Sequence, residues 1–345
     1  MIDWSAVEDP TERLHAFVSG FHATYYVYTG VSCGLFGSLT EPRSVAALAA
    51  ERDLYEPYVR AFCEAGFRWG ILTVDRAAAN DAPVFRLRSE FVEPLATPEA
   101  AGFMGGFFKF LGTHQGREYA TYPTAFETGE TRETEAYDAE FTALIQGSTR
   151  GLQDTFLDHL LPELSAFEAR LDRGGRLVDV GCGTGRLLRR LCARYPDLDG
   201  HGIDLDDDAI DEARERAVRE NVDDRTTFRV DDATEVNGPV TAAVLFMSVH
   251  EVVPERRRAL FERLGEVLVD GGVIVVFDEV YPDVPEQFDQ LPYAAGVETQ
   301  WAELPWGADI PTESQHETLL AAAGCERRHH RTVADRFVLY EGVRT

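Results

Sequence analysis

The feature that most constrains this 345-residue chain is a regular alternation of strand-like and helical segments after residue 174. Short β-branched runs occur at 176–180, 201–205, 226–230, 240–249 and 272–277, with helical segments near 185–195, 207–220, 254–268 and 312–323. Such alternation predicts a mostly parallel, Rossmann-like sheet with helices on both faces. Two last strands, about 326–333 and 335–342, have no helix between them, so they must form a hairpin with an antiparallel strand at or near an edge.

Residues 1–150 have a different and mainly helical pattern. A Ser-capped amphipathic helix is predicted at 44–54, a second helix at 56–72, and two strands around a polar turn within 72–88. This order is typical of a winged helix-turn-helix. Further helices are predicted at about 99–112, 133–146 and 149–171. We therefore expect two domains, a winged-helix and helical domain at 1–150 and an α/β domain at 151–345, as the length also favours.

The charge of the chain is strongly negative. Asp plus Glu number 60 against 33 Lys plus Arg, which gives a formal net charge of −27, and Lys109 is the only lysine. An acid-rich, lysine-poor composition suits a salt-rich cytosol, because charge repulsion is screened within about 3 Å at 1 M salt. We expect a halophilic protein. The same excess argues against nucleic acid and against an anionic membrane surface.

The cysteines and the apolar runs indicate the compartment. Five cysteines are odd in number and show no C-x-x-C pair, which favours a reducing environment without disulfides or structural zinc. The first ten residues are acidic and lack an apolar signal region. The longest apolar runs have the length of strands and cannot cross a bilayer. A soluble, cytoplasmic protein without membrane partners is expected.

A glycine-rich loop joins the first strand of the alternating region to its helix. The stretch "RLVDVGCGTGRLLRRL" at 176–191 reads as a strand, a G-x-G-x-G turn and a helix. Gly181 permits a tight turn, and Gly183 and Gly185 allow the backbone to approach a ligand at the helix N-terminus. The dinucleotide fingerprint G-x-G-x-x-G differs, so a dinucleotide oxidoreductase is disfavoured and a ligand without phosphate is favoured. A tight turn without a ligand is the alternative.

Acidic residues follow the next two strands. Asp204 in "GIDLDD" lies about 20 residues after the glycine loop, where an acid binds ribose hydroxyls in open α/β sheets. Asp232 and Ala233 in "RVDDATE" follow the third strand, where a carboxylate and an amide can meet a purine edge. All these residues lie at carboxyl ends of predicted parallel strands, the edge at which such sheets bind ligands.

These motifs carry a family resemblance. "VDVGCGTG", "GIDLD" and "DDAT", in this order and spacing, resemble class I S-adenosylmethionine-dependent methyltransferases over roughly 174–345. The resemblance implies a seven-stranded sheet with a terminal antiparallel strand and S-adenosylmethionine as cofactor. It places Asp179, Gly181, Gly183 and Gly185 around the methionine part, Asp204 on the ribose, Asp232 on the adenine amine and Ala233 as a backbone contact. Asp206 and Asp231 either share these roles or are acidic surface residues.

A second resemblance concerns catalysis. A winged-helix domain before this fold is similar to small-molecule O-methyltransferases of the plant caffeate type and their microbial relatives. In that family the fourth strand ends in His-Asp and the histidine is the general base; the matching pair here is His250-Glu251. The carboxylate that orients the base matches Asp278, beside Glu279. A strand-end histidine that only lines the cofactor pocket is the alternative.

The chemistry of an alcohol acceptor fits this pattern. A neutral alcohol is a poor nucleophile, and an imidazole with an ordinary pKa of about 6.5 is suited to take its proton. The expected function is O-methylation of a small, rather apolar molecule with His250 as base. The alternatives are C- or N-methylation, or a non-catalytic S-adenosylmethionine-binding regulator that places the winged helix on DNA. The resemblance also implies a homodimer formed through the N-terminal domain, which caps the substrate.

Acceptor contacts and metal ligands have weaker signals. The apolar stretch at 103–112, the stretch at 114–123, and Trp301 and Trp306 of a proline-rich insertion at 281–311 are candidate acceptor contacts. An insertion of this length suggests a functional lid. Adjacent His329 and His330 on a strand point to opposite faces, so no metal is expected.

Overall fold

The structure is a computed structural model that describes residues 9–75, 82–100, 102–129, 147, 149–307 and 309–345. The chain divides into two compact units. The first comprises Met1–Ala120 and Ala143–Asp154, and the second comprises Thr121–Thr142 and Thr155–Thr345. The helix predicted at 133–146 lies outside the described residues. The predicted domain boundary at 150/151 stays a prediction.

The first unit combines helices with a small antiparallel sheet. Its elements are α1 (Pro10–Ser32), α2 (Leu35–Ser38), β1 (Arg43–Ser44), α3 (Val45–Arg52), α4 (Glu56–Arg68), β2 (Leu72–Asp75), β3 (Val84–Leu87), α5 (Val92–Ala96), α6 (Gly105–Phe110) and α7 (Gly116–Glu118). The strand order is β1-β3-β2. Ser44 caps α3 by accepting the Ala47 N–H at 3.2 Å. Helix α4 ends before the predicted residue 72 because Gly70 adopts φ 69°, a glycine-favoured helix end.

The second unit is built on a seven-stranded sheet. Its elements are α8 (Tyr122–Thr128), α9 (Ser165–Asp172), β4 (Gly175–Val180), α10 (Arg186–Arg194), β5 (Leu198–Asp204), α11 (Asp207–Glu220), β6 (Thr226–Val230), β7 (Val240–Phe246), α12 (Pro254–Val267), β8 (Leu268–Glu279), α13 (Tyr293–Glu303), α14 (Glu313–Ala322), β9 (Cys325–Val333) and β10 (Phe337–Arg344). The order is β6-β5-β4-β7-β8-β10-β9, and β10 runs antiparallel to both neighbours. The predicted fold class is confirmed.

The centre of this sheet is largely apolar. Strands β7 and β8 pair in parallel, and Val244 and Val275, which are register partners, are both buried. Helix α12 covers one face with Leu260 and Leu264, four residues apart on one side of the helix. Strands buried on both faces read as continuous apolar runs, which is why β7 was visible in the sequence. This rigid centre carries the strand ends that form the site.

Three predicted elements differ from the structure. The strand predicted at 240–249 ends at Phe246, because Met247 adopts φ 53° and its N–H donates to the Phe277 carbonyl at 2.7 Å. The single helix predicted at 149–171 is interrupted by a π-helical turn at Phe156–Leu160 and a 3₁₀ turn at Leu161–Glu163. Pro162 in the 3₁₀ turn has no N–H with which to continue an α-helix.

The insertion predicted as a long loop at 281–311 contains helix α13 and short turns at Pro285–Gln287 and Leu304–Trp306. Its ends meet where the Tyr281 N–H donates to the Pro311 carbonyl at 3.0 Å. Gly296 lets α13 approach the sheet, since a Cβ there would lie 2.0 Å from the Val280 carbonyl oxygen. The described helices include none that is long and apolar enough to cross a membrane.

Candidate active site

The glycine loop between β4 and α10 closes against the end of β5. The Gly181 N–H donates to the Ile203 carbonyl at 2.9 Å, and a Cβ on Gly181 would lie 2.6 Å from Cβ of Ser248. Gly183 has φ 52°, yet a Cβ there would meet nothing within 4 Å. Packing therefore requires glycine at 181, whereas at 183 the backbone faces open space, as a ligand cradle does. Gly185, the third predicted glycine, begins α10 with φ 67°.

Two predicted cofactor carboxylates lie beside this loop. Asp204 accepts the N–H of Gly183 at 2.7 Å and that of Asp206 at 3.0 Å, so it ties the loop to the end of β5. Burial raises the pKa of Asp204 despite these hydrogen bonds. Burial and the Asp204 charge also raise the pKa of Asp179, which is 2% exposed, to about 7. Carboxylates destabilised in this way suit a ligand that carries positive charge.

The residues predicted to contact adenine are partly engaged within the protein. Asp232 accepts the N–H and the hydroxyl of Thr234 at 2.9 and 2.6 Å, and it pairs with Arg256 at 2.5 Å. Burial acts to raise the pKa of Asp232, but these partners hold the pKa below its usual range. Ala233 begins the short turn Ala233–Glu235 and packs against the core. Their adenine role stays a prediction.

The two neighbouring acids have identifiable contacts of their own. Asp206 caps α11 by accepting the Ala209 N–H at 2.9 Å. Asp231 pairs with Arg229 at 3.3 Å. These contacts account for both acids without a ligand.

His250 and Asp278 form a buried pair. His250 lies in the turn after β7. Asp278 is the penultimate residue of β8, the strand that pairs with β7. One oxygen of Asp278 accepts the N–H groups of Val249 and His250 at 2.8 and 3.2 Å. The other contacts His250 Nδ1 and accepts the Glu279 N–H at 2.8 Å. Asp278 thus fixes both the backbone and the imidazole of the turn.

The electrostatics of this pair are coupled. Burial acts to lower the pKa of His250, but the facing Asp278 carboxylate raises it well above 6.5. Burial acts to raise the pKa of Asp278, and His250 outweighs burial and lowers it. With Nδ1 directed at the carboxylate, Nε2 is the nitrogen left to exchange a proton. The geometry is that of an oriented acid–base imidazole.

The charges of two further carboxylates, Glu303 and Glu251, act on the imidazole. Glu303, at the end of α13, places Oε2 3.9 Å from His250 Nε2. Burial, with the charges of Glu279 and Glu251, raises the pKa of Glu303 to about 7. Glu251 is partly open to solvent, but many protein atoms lie near its carboxylate. Burial, with the Asp204 charge, raises the pKa of Glu251 to about 7.

Arg257 donates hydrogen bonds to the turn that contains His250. Its Nε donates to the Val252 carbonyl at 2.7 Å, and its Nη2 donates to the His250 carbonyl at 3.2 Å and to the Asp309 carbonyl. Arg257 is buried in α12. The guanidinium therefore joins the histidine turn to the far end of the insertion. Neither Arg257 nor Glu303 belongs to a motif in the sequence.

Glu279 belongs to a separate contact. Its carboxylate accepts Arg336 Nη2 at 2.8 Å, and the same nitrogen donates to Thr299 at 3.0 Å. Because successive strand residues point to opposite faces, Asp278 and Glu279 cannot both face His250. The structure thus places Asp278 in contact with the imidazole and Glu279 with Arg336, whereas Glu251 acts on His250 through its charge.

A cluster of aromatic side chains forms around helix α13, the helix that ends at Glu303. The ring of Trp301 in α13 packs against Tyr122 and Phe126, with ring centroids 5.2 and 5.9 Å apart. The Tyr122 hydroxyl lies 2.8 Å from the Trp301 carbonyl oxygen, its acceptor. Trp301 remains half-exposed. Trp306 ends the short turn Leu304–Trp306, and its role as an acceptor contact stays a prediction. The apolar stretch at 103–112 lies in the first unit, where Phe110 is buried.

No group of three or more His, Cys, Asp or Glu that could hold a metal ion occurs in the part of the chain that the structure describes.

Comparison with known proteins agrees with this geometry. Residues 177–272 match the model of the methyltransferase domain family. A trans-aconitate 2-methyltransferase of Rhodopseudomonas palustris is 28% identical over 174 residues, 50% of this chain and 62% of that protein. The 27-O-demethylrifamycin SV methyltransferase of Amycolatopsis mediterranei is 30% identical over 144 residues, 41% of this chain and 48% of that protein. The chain thus spans less than two thirds of the length of each.

Solved structures extend the likeness to the whole fold. Human N-acetylserotonin methyltransferase in complex with SAM has a TM-score of 0.74 at 19% identity and covers 100% of this chain and 99% of its own. Mitomycin 7-O-methyltransferase MmcR has a TM-score of 0.69 at 17% identity, and the match covers 97% of this chain and 98% of that protein. The predictions of a methyltransferase domain, and of S-adenosylmethionine as the cofactor of its family, are confirmed.

Proposed function

We propose that this protein transfers the methyl group of S-adenosylmethionine to a hydroxyl of a small, rather apolar molecule, with His250 as general base. The observation that carries the proposal is the buried imidazole whose Nδ1 contacts Asp278, at the sheet edge that also holds Asp204. An imidazole fixed in this way serves proton transfer, whereas a packing histidine needs no carboxylate at this position.

The residues at the glycine loop fit the cofactor. Gly183 leaves open space at its Cα, and Asp204 is positioned at the end of β5. Burial and the Asp204 charge raise the pKa of Asp179, and a nearby positive charge would stabilise its ionised form. We propose that Asp179 and the loop hold the methionine part and that Asp204 holds the ribose. When bound, S-adenosylmethionine supplies a methyl group on a sulfonium, which a nucleophile accepts directly.

The protein's own contribution is to bind, orient and deprotonate the acceptor. We propose that His250 Nε2 takes the hydroxyl proton while Asp278 holds Nδ1–H and stabilises the imidazolium. Asp278 also holds the backbone of the turn, so the base has little freedom to leave its position. Alignment of the acceptor oxygen with the methyl group supplies the rest of the rate.

A labelling experiment tests this function. The protein is incubated with methyl-labelled S-adenosylmethionine and a small-molecule extract of the source organism, and label in new small molecules is measured. His250→Ala is expected to reduce transfer by about 10²–10⁴-fold, the usual contribution of a positioned base. Calorimetric titration with S-adenosylmethionine should give unchanged affinity, which shows that the variant is folded.

The outcomes separate the alternatives. Full transfer by His250→Ala would remove the base assignment and leave the histidine as a pocket residue. Label on a nitrogen or a ring carbon would identify N- or C-methylation instead. Cofactor binding without any labelled product would favour a non-catalytic regulator.

The first unit is proposed to be a winged-helix dimerisation and substrate-capping domain that acts in a salt-rich cytosol. Its helix pair α3 and α4 with the sheet β1-β3-β2 supports the winged-helix assignment. On α1, Leu14, Val18 and Phe21 are 61%, 54% and 60% exposed, and their spacing puts them on one face. Such an apolar face supports self-association. On α4, Arg60 is paired with Glu56 at 2.8 Å, which leaves little basic surface for DNA.

A further inference from the structure

The charge around His250 restricts the acceptor. Asp278 contacts Nδ1, Glu303 lies 3.9 Å from Nε2, and Glu251 follows the histidine directly. Asp204, at the end of β5 on the same edge of the sheet, also has a charge that acts on Glu251. Four carboxyl groups thus share the region with one imidazole. They come from separate elements, so the acidity is built by the fold and is not a local run of acids.

Three arginines on the described elements around His250 are already engaged. Arg256 pairs with Asp232 at 2.5 Å, and Arg257 donates to backbone carbonyls of the histidine turn. Arg336 binds Glu279 and Thr299. Sites that bind carboxylate or phosphate groups normally use the forked guanidinium of an arginine. Each of these three guanidinium groups is bound to the protein instead.

The catalytic chemistry points in the same direction. A carboxylic acid at neutral pH is already an anion, so it needs no base before it attacks a methyl group. An alcohol or phenol has a proton to lose and does need one. The carboxylates around the base repel an incoming anion in proportion to their ionised fraction, since like charges in a partly desolvated site interact strongly.

We infer that the acceptor is an uncharged or cationic alcohol or phenol, and that the site rejects carboxylic acids and phosphorylated molecules. This inference rests on the proposed function and names the class of its acceptor. In the reaction, the acceptor oxygen forms a bond to the methyl carbon as the carbon–sulfur bond breaks. The hydroxyl proton passes to His250, so the products are a methyl ether with the same net charge as the acceptor and S-adenosylhomocysteine.

The charge of the labelled product tests the inference. After incubation with methyl-labelled S-adenosylmethionine and the small-molecule extract, products are separated on anion- and cation-exchange columns at neutral pH. We expect at least tenfold more label in neutral and cationic products than in anionic ones. The label should also survive mild base, because methyl ethers are stable where methyl esters release volatile methanol.

A variant pair tests the source of the selectivity. Glu303→Gln removes one carboxylate at nearly constant size and is expected to raise the share of label in anionic products. Glu298→Gln changes an exposed carboxylate of the same helix and should leave the wild-type product profile unchanged.

The failures are distinguishable. Label found mainly in anionic or base-labile products of the wild-type protein would overturn the inference while methyl transfer stands. No label in any small molecule would instead contradict the proposed function itself.

Discussion

At the scale of single residues, the proposed role of His250 as general base makes the His250–Asp278 pair the determinant of how methyl transfer depends on pH. The Asp278 carboxylate outweighs burial and raises the pKa of His250 well above 6.5, so the imidazole is mainly protonated at that pH. A general base must be neutral before it accepts a proton. The active fraction therefore grows as the pH rises toward the raised pKa and levels off above it.

The first residue-scale prediction concerns this acidic limb. For the wild-type protein, log kcat/KM for the labelled acceptor should rise with pH and reach its plateau only above an apparent pKa higher than 6.5. Asp278→Asn removes the charge that raises the His250 pKa, so the limb should move to lower pH. The maximal rate should also fall, by about 10²-fold or more, because the imidazole loses its orientation.

Proton-detected NMR of the His250 ring checks the assignment independently of turnover, with His250→Ala to identify the signal. An acidic limb in Asp278→Asn at the wild-type position would contradict the coupling. Asp283→Asn is a control for the loss of one carboxylate charge elsewhere, because Asp283 is exposed and its hydrogen-bond partner is Ser314.

The place of a residue in the fold can be predicted from the sequence where its motif has a defined position on a strand, whereas the roles assigned to such residues stay predictions. Asp204 and Asp278 follow apolar strands, and parallel strand ends share one edge, so their proximity to the site follows from topology. Glu303 and Arg257 could not be found in this way. Glu303 lies in an insertion without a motif, and Arg257 is one of three consecutive arginines whose burial depends on helix phase.

At the scale of elements, Arg257 links α12 to the histidine turn and to the insertion. It donates to the carbonyls of Val252, His250 and Asp309 from a buried position. Each hydrogen bond from a charged group to a buried carbonyl contributes about 1.5–3 kcal/mol. A lysine preserves the charge but cannot reproduce the fork that reaches several carbonyls at once.

The element-scale prediction is that Arg257→Lys lowers kcat by at least tenfold while KM for S-adenosylmethionine stays within about threefold, because a displacement of the base by about 1 Å is costly. Arg258→Lys is the matched control. Arg258 lies on the same helix, is exposed, and pairs with Glu262 at 2.8 Å, a surface contact worth about 0.3–0.5 kcal/mol. A loss of thermal stability in Arg257→Lys with unchanged kcat would show that the arginine has only a structural role.

Elements were predicted well where periodicity alone decides them and poorly where tertiary contacts do. The central parallel strands β7 and β8 contain continuous apolar runs, and the order of the parallel strands follows the usual connections of such sheets. The end of β7 is set by the Met247 hydrogen bond to Phe277 on the neighbouring strand, a contact that no local pattern encodes. The break near Pro162 was readable in principle, since proline interrupts an α-helix.

At the scale of the whole molecule, charge and apolar surface act against each other. Each chain carries a formal −27, so two chains repel one another unless salt intervenes. The screening length falls from about 8 Å at 0.15 M salt to about 3 Å at 1 M. The apolar face of α1 defined by Leu14, Val18 and Phe21 provides an attraction that high salt does not weaken.

The whole-molecule prediction is therefore that self-association strengthens as potassium chloride rises from 0.15 to 2 M, measured by sedimentation equilibrium. Phe21→Asp places a charge on the α1 face and should give monomers at both salt concentrations. Val218→Asp, a change at a residue of the second unit that is 60% exposed, adds the same charge elsewhere and should behave as the wild type. Equal association by Phe21→Asp would locate the contact on another surface. Dissociation of the wild-type dimer by salt would mean that ion pairs, and not an apolar face, hold two such acidic chains together.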